Sequence, residues 1–102
     1  MNNERRKGLA KLNKILDTYP SDADTKEYIK ELELILLDEE LALSAISDKF
    51  MGTERYEKSS FACECMNEAL DFLNNVIGIT DYDEREDHFL DAIICLEDAI
   101  DC

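Results

Sequence analysis

The stretch from Ile29 to Phe50, IKELELILLDEELALSAISDKF, decides the fold. Apolar residues return at Ile29, Leu32, Leu36, Leu43, Ile46 and Phe50, a heptad rhythm interrupted by Glu39. Recurrence every three or four residues gathers side chains on one face of a helix, whereas a strand would alternate with a period of two. Leu34, Ile35, Leu37 and Leu41 widen the stripe to nearly all sides, so this helix is expected to be the central one. Ser21 or Asp22 can start it by accepting hydrogen bonds from the free N–H groups of the first turn. Unbroken to Phe50, it would be roughly 40 Å long. Asp38-Glu39-Glu40 is where it is expected to bend or meet solvent.

Working outward, a first helix is expected from Asn3 to Thr18, with Leu9, Leu12, Ile15, Leu16 and Tyr19 on one face. Pro20 ends it, because the residue before a proline avoids helical geometry. On the other side, Gly52 breaks the pattern and Thr53 can cap a third helix. That helix is lined by Cys63, Met66, Leu70, Leu73 and Ile77, flanked by Ala62, Ala69, Phe72 and Val76. Gly78 suits the left-handed residue just past a helix end. Thr80 or Asp81 caps a fourth helix, which buries Phe89, Ala92, Ile93, Leu96 and Ile100. The connections at 19–22, 51–53 and 78–81 are short and imply antiparallel neighbours. The expectation is an all-α chain, one domain over residues 1–102, folded as a compact antiparallel helical bundle.

Composition agrees with a packed core: 45% of residues are hydrophobic and 35% charged, too apolar for a disordered chain. Twenty-five acids against eleven Lys and Arg leave a net charge of −14. That charge opposes direct binding to nucleic acid or an anionic membrane and favours a partner with a basic surface. The charge is uneven. Residues 1–14 carry Arg5, Arg6, Lys7, Lys11 and Lys14 against Glu4 alone, and these are expected to pair with the chain's own acids or a second subunit. Residues 81–102 carry nine acids against Arg85 alone.

The strictly apolar run Leu34 to Leu37 is too short to span a membrane. The N-terminus is polar, without the apolar core of a signal peptide, so the expected location is the cytoplasm, with reduced cysteines. Cys63 and Cys65 would point about 200° apart on a helix. Cys95 and Cys102 lie two turns apart, beyond disulfide reach. Cys63 and Cys95 are read as core fillers and Cys102 as a frayed terminal thiol.

The run Asp81-Tyr82-Asp83-Glu84-Arg85-Glu86-Asp87 offers the alternating carboxylates of a calcium loop. Glu86 stands where that loop needs its glycine, and Ala92 where it needs its final glutamate. A helix dipole accounts for some of these acids at the helix start. The surplus is read as an anionic contact surface made of Asp81, Asp83, Glu84, Glu86, Asp87 and Asp91, with Glu64 and Glu68 from the third helix. Carboxylates at i and i+4 sit about 6 Å apart, comparable to successive phosphates on one strand. Glu27–Glu31, Glu64–Glu68, Asp83–Asp87 and Asp87–Asp91 have this spacing.

Glu84, the lone His88 and Asp91 share a helix face, but Arg85 occupies the position where a di-metal Glu-x-x-His motif has its glutamate. His88 is read as solvated or salt-bridged, and no metal or cofactor is expected. With one histidine and no glycine-rich phosphate loop, the chain is not expected to be an enzyme.

Asn3-Glu4-Arg5-Arg6-Lys7, Asp38-Glu39-Glu40, Gly52-Thr53-Glu54-Arg55-Tyr56-Glu57 and the Glu-Asp-Ala-Ile-Asp of residues 97–101 occur in order along the chain. In these pieces it resembles the small acidic helical proteins encoded by phages and prophages of Gram-positive bacteria. It departs from them in a third helix richer in Cys and aromatics (Phe61, Cys63, Cys65, Phe72) and in residues 78–88, which look like an insertion. The resemblance implies a phage-type origin. With the charge, it sets the functional expectation: binding and inhibition of a basic, nucleic-acid-binding bacterial protein by nucleic-acid mimicry, a host defence nuclease such as a CRISPR effector being the natural target. Two alternatives stay open, a non-catalytic assembly protein that forms a helical homodimer through apolar faces and an immunity protein against a toxin nuclease.

Overall fold

Each helix begins where a short polar side chain closes its first turn. In the structure, a computed structural model describing residues 1–46 and 52–102, the helices are α1 (Asn3–Leu16), α2 (Asp22–Ser44), α3 (Glu54–Val76) and α4 (Tyr82–Ile100). Asn2, Ser21, Thr53 and Asp81 are the N-caps, accepting from the backbone N–H of Arg5, Asp24, Tyr56 and Glu84. Such a cap contributes about 1 kcal/mol. Acids follow in every first turn, Glu4, Asp22, Glu54 and Asp83 among them, where the dipole favours them.

The helices run up-down-up-down. α2 packs on α1 and α3, and α4 on α3 and α1, with α3–α4 the most extensive contact. The body measures 49 × 18 × 18 Å. Its core is the expected apolar face of each helix: Leu9, Leu12 and Leu16, then Ile29, Leu32 and Leu36, then Met66 and Leu73, then Phe89 and Leu96. Removing one such side chain from water stabilises the fold by about 2 kcal/mol. Gly8 lets α1 and α2 approach, since a Cβ there would lie 3.0 Å from Cδ1 of Ile35.

Several expectations need correction. α1 ends at Leu16, short of Thr18, because the Thr18 hydroxyl donates to the carbonyl of Ile15 and Tyr19 turns left-handed at φ +52°. α2 ends at Ser44, whose hydroxyl donates back to the Leu41 carbonyl. Its expected continuation to Phe50 falls at residues 47–50, outside the described residues. Nor is α2 the central helix: Leu34, Leu37 and Leu41 are 64%, 50% and 59% exposed, while the deepest packing joins α3 and α4. Within Asp38-Glu39-Glu40 the flanking acids are exposed, but Glu39 is buried. Gly78 has the expected positive φ, +86°. Among the described residues no helix is long and apolar enough to cross a membrane.

Candidate functional site

Charges in this molecule fall into two kinds, those consumed in holding the bundle together and those left over. Glu39 is of the first kind. One carboxylate oxygen accepts from Arg5 Nε at 2.7 Å, and the other accepts from the Ser59 hydroxyl at 2.7 Å and lies 3.4 Å from the Met1 amino group. A buried carboxylate is tolerated only with such compensation, so this anion ties α1, α2 and α3 together.

Arg85 does the corresponding work at the other end. Its Nη1 donates to Asp22 Oδ1 at 2.6 Å, to the Ile79 carbonyl at 3.0 Å and to the Val76 carbonyl at 3.2 Å. Nη2 donates to the Pro20 carbonyl at 3.1 Å. The last turn of α3 contains no base of its own, and Arg85 supplies the cation that its C-terminal carbonyls attract. The other oxygen of Asp22 accepts the Gly78 N–H at 3.1 Å. Hydrogen bonding from Arg85, then from Gly78, holds the Asp22 carboxyl below its usual range. The guanidinium also sits 5.7 Å from the centroid of the Phe89 ring, a cation–π contact.

Arg6 repeats this device on α4, donating to the carbonyls of Ile100 and Cys102. Of the basic N-terminal stretch, Arg5 and Arg6 are therefore used internally. Among the described residues Lys7, Lys11 and Lys14 make no ion pair.

Most of the acids singled out from the sequence are among the charges left over. Asp81, Asp83, Glu84, Asp87 and Asp91 are exposed on the first half of α4, and Glu64 and Glu68 are exposed on α3. Among the described residues none of these seven is in an ion pair. Asp81 carries the N-cap bond to Glu84 N–H at 3.1 Å. Glu86 differs from the rest: it is half-buried and accepts the Tyr19 hydroxyl at 3.2 Å, so it faces the α1–α2 connection. Burial first, and this carboxylate second, raise the Tyr19 phenol above its usual pKa.

The α3–α4 packing brings Glu68 and Asp91 to one place. The Cys95 thiol donates to Glu68 at 3.7 Å. Burial, and then the fields of Glu68, Asp98 and Asp91, push this thiol up to about 11. Asp87 and Glu84 lie one and two turns N-terminal to Asp91 on the same helix edge. The result is a carboxylate seam along the α3–α4 junction, set on two rigid helices. Sequence spacing placed its members on helices but not beside one another, because that depends on the register of α3 against α4.

The cysteines are all free; Cys63, Cys65 and Cys95 are buried and Cys102 is half-buried. Burial of Cys65 in the core was not anticipated, although its spacing to Ala62 and Ala69 puts it near their face. Burial pushes Cys63 and Cys65 up to about 11 as well, which suppresses the thiolate needed for nucleophilic chemistry. His88 Nδ1 donates to the carbonyl of Glu84 at 2.8 Å, fixing its proton on that nitrogen. The cleft beside Glu39 has a volume of about 160 Å³, and wider, more open clefts of about 510 and 730 Å³ lie beside Arg6 and Lys58 and beside Lys26 and Asn74. The exposed acids of α3 and α4 present negative charge on helical surfaces. Compared with known protein families, curated proteins and solved structures, the chain matches none.

Proposed function

We propose that the chain is a non-catalytic, cytoplasmic acidic protein of phage type. It docks its α3–α4 carboxylate seam into the nucleic-acid-binding groove of a basic bacterial protein and thereby inhibits it. The observation that carries this reading is that Asp83, Glu84, Asp87, Asp91, Glu64 and Glu68 are exposed and in no ion pair among the described residues, in a chain whose buried Glu39 and half-buried Arg5, Asp22 and Arg85 are paired. Like charges held together repel, so retaining them on rigid helices serves a cationic groove elsewhere. A host defence nuclease fits that description.

The test is capture of a partner by the tagged chain from a Gram-positive bacterial lysate. A basic nucleic-acid-binding protein is expected to be retained at about 0.1 M salt and released at about 0.5 M, where exposed charges are screened within a few ångströms. Added duplex DNA is expected to displace the same protein, since mimic and nucleic acid compete for one groove. A partner held through high salt and excess DNA would contradict the proposal.

A further inference from the structure

α2 and α4 sit at opposite corners of the bundle, each flanked by α1 and α3. The outer face of α2 is therefore remote from the acidic seam. That face carries Leu34, Leu37 and Leu41, at least half exposed and spaced i, i+3, i+7. Single exposed leucines are ordinary, but a contiguous apolar stripe opposite the core marks a contact surface. It runs about 10 Å along the helix. The Glu27–Lys30 ion pair, at 3.6 Å, closes its N-terminal end.

With Leu34 and Leu41 as successive a positions and Leu37 as the d position between them, the residues bordering the stripe are fixed. Glu33 and Glu40 take the g positions, and Glu31 and Asp38 the e positions. All four are exposed acids. In helix-to-helix packing the a and d side chains supply the apolar contact, and e and g charges choose the partner. A second copy of this chain would bring acids against acids in either orientation. A helix with leucine-like residues at a and d and Lys or Arg at e and g would meet both an apolar stripe and opposite charge on each flank.

We infer that the outer face of α2 is a docking site for a basic amphipathic helix of a partner protein, packed in coiled-coil fashion on Leu34, Leu37 and Leu41. This inference is independent of the seam on α3 and α4, and the occupant is a helix of another protein rather than a second copy.

The test uses two labelled three-heptad peptides, both with Leu at a and d, one with Lys and the other with Glu at e and g. Fluorescence anisotropy at physiological salt is expected to show the Lys peptide binding at least about tenfold tighter than its Glu twin. Leu37→Ser with Leu41→Ser, both at exposed positions and so compatible with the fold, is expected to remove at least about tenfold of that affinity while circular dichroism stays unchanged. Replacing Glu31, Glu33, Asp38 and Glu40 by Lys is expected to reverse the preference between the peptides. Neutralising Asp83, Glu84, Asp87 and Asp91 is expected to leave Lys-peptide binding to within about twofold of wild type. The inference is overturned if the Leu→Ser pair leaves binding intact, if the α4 acids account for it, or if the two peptides bind equally. It is equally overturned if sedimentation shows a dimer of the chain that the Leu→Ser pair dissolves.

Discussion

Glu39 and Arg85 lie toward opposite ends of one bundle and solve inverse problems. At Glu39 an anion is withdrawn from water, and donors from α1 and α3 converge on it. At Arg85 a cation is folded over carbonyls at the end of α3 and in two connections. The first is a buried charge that needs partners, and the second a set of partners that needs a charge. The difference teaches which loss the fold tolerates less. Arg5 and the Met1 amine can turn outward if Glu39 is removed, but the carbonyls of Pro20, Val76 and Ile79 are part of the backbone and cannot leave.

Replacing Arg85 is accordingly expected to have the largest effect. Arg85→Ala should cost about 3 kcal/mol in urea unfolding, because several acceptors and the Phe89 ring lose their donor at once. Arg85→Lys should recover less than half of it, since a point charge cannot reach the acceptors as the planar fork does. Glu39→Ala comes next at about 2 kcal/mol, and combining it with Arg5→Ala should cost less than the sum, by about 1 kcal/mol of coupling. Equal costs for Arg85→Ala and Glu39→Ala would erase the distinction between the two ends.

Acid sharpens the comparison further. The folded-state carboxyl of Asp22 lies below its ordinary value of 3.8, through Arg85 first and Gly78 second. The stability it adds is fully present above that ordinary value and is lost as pH falls through the lowered one. A stability-against-pH curve for Asp22→Asn should therefore be flatter than wild type below about pH 4 and run parallel to it above about pH 5.

The smallest effect belongs to the charges that hold nothing. Neutralising Asp83, Glu84, Asp87 and Asp91 together should change stability by less than about 1 kcal/mol, as relief of repulsion offsets the lost interaction with the α4 dipole. A cost as large as that of Glu39→Ala would mean that these acids are structural.

Helices, caps and most core residues were legible in the sequence because apolar period and capping chemistry are local. Ser21, Thr53 and Asp81 cap as their side chains dictate. At Glu39 the expectation failed because charge was equated with solvent, and Arg85 carried no structural expectation at all. Their phase held the signal. Glu39 lies three residues after Leu36 and four before Leu43, and Arg85 lies four before Phe89 and seven before Ala92, so both fall in register with the buried face. Leu34, Leu37 and Leu41 show the converse, apolar residues out of phase with the core and left in water. Of the candidate site, exposure of the acids was readable from α4 alone. Two features depended on tertiary register and were not: Glu86 turning toward Tyr19, and Glu68 reaching the Cys95 thiol across the helix junction.

Once a captured basic partner is in hand, its affinity for the wild-type chain and for the chain neutralised at Asp83, Glu84, Asp87 and Asp91 is the decisive measurement. A loss of roughly a hundredfold, equivalent to about 3 kcal/mol, is the predicted result. Equal affinity for the two chains, both folded, would contradict the account.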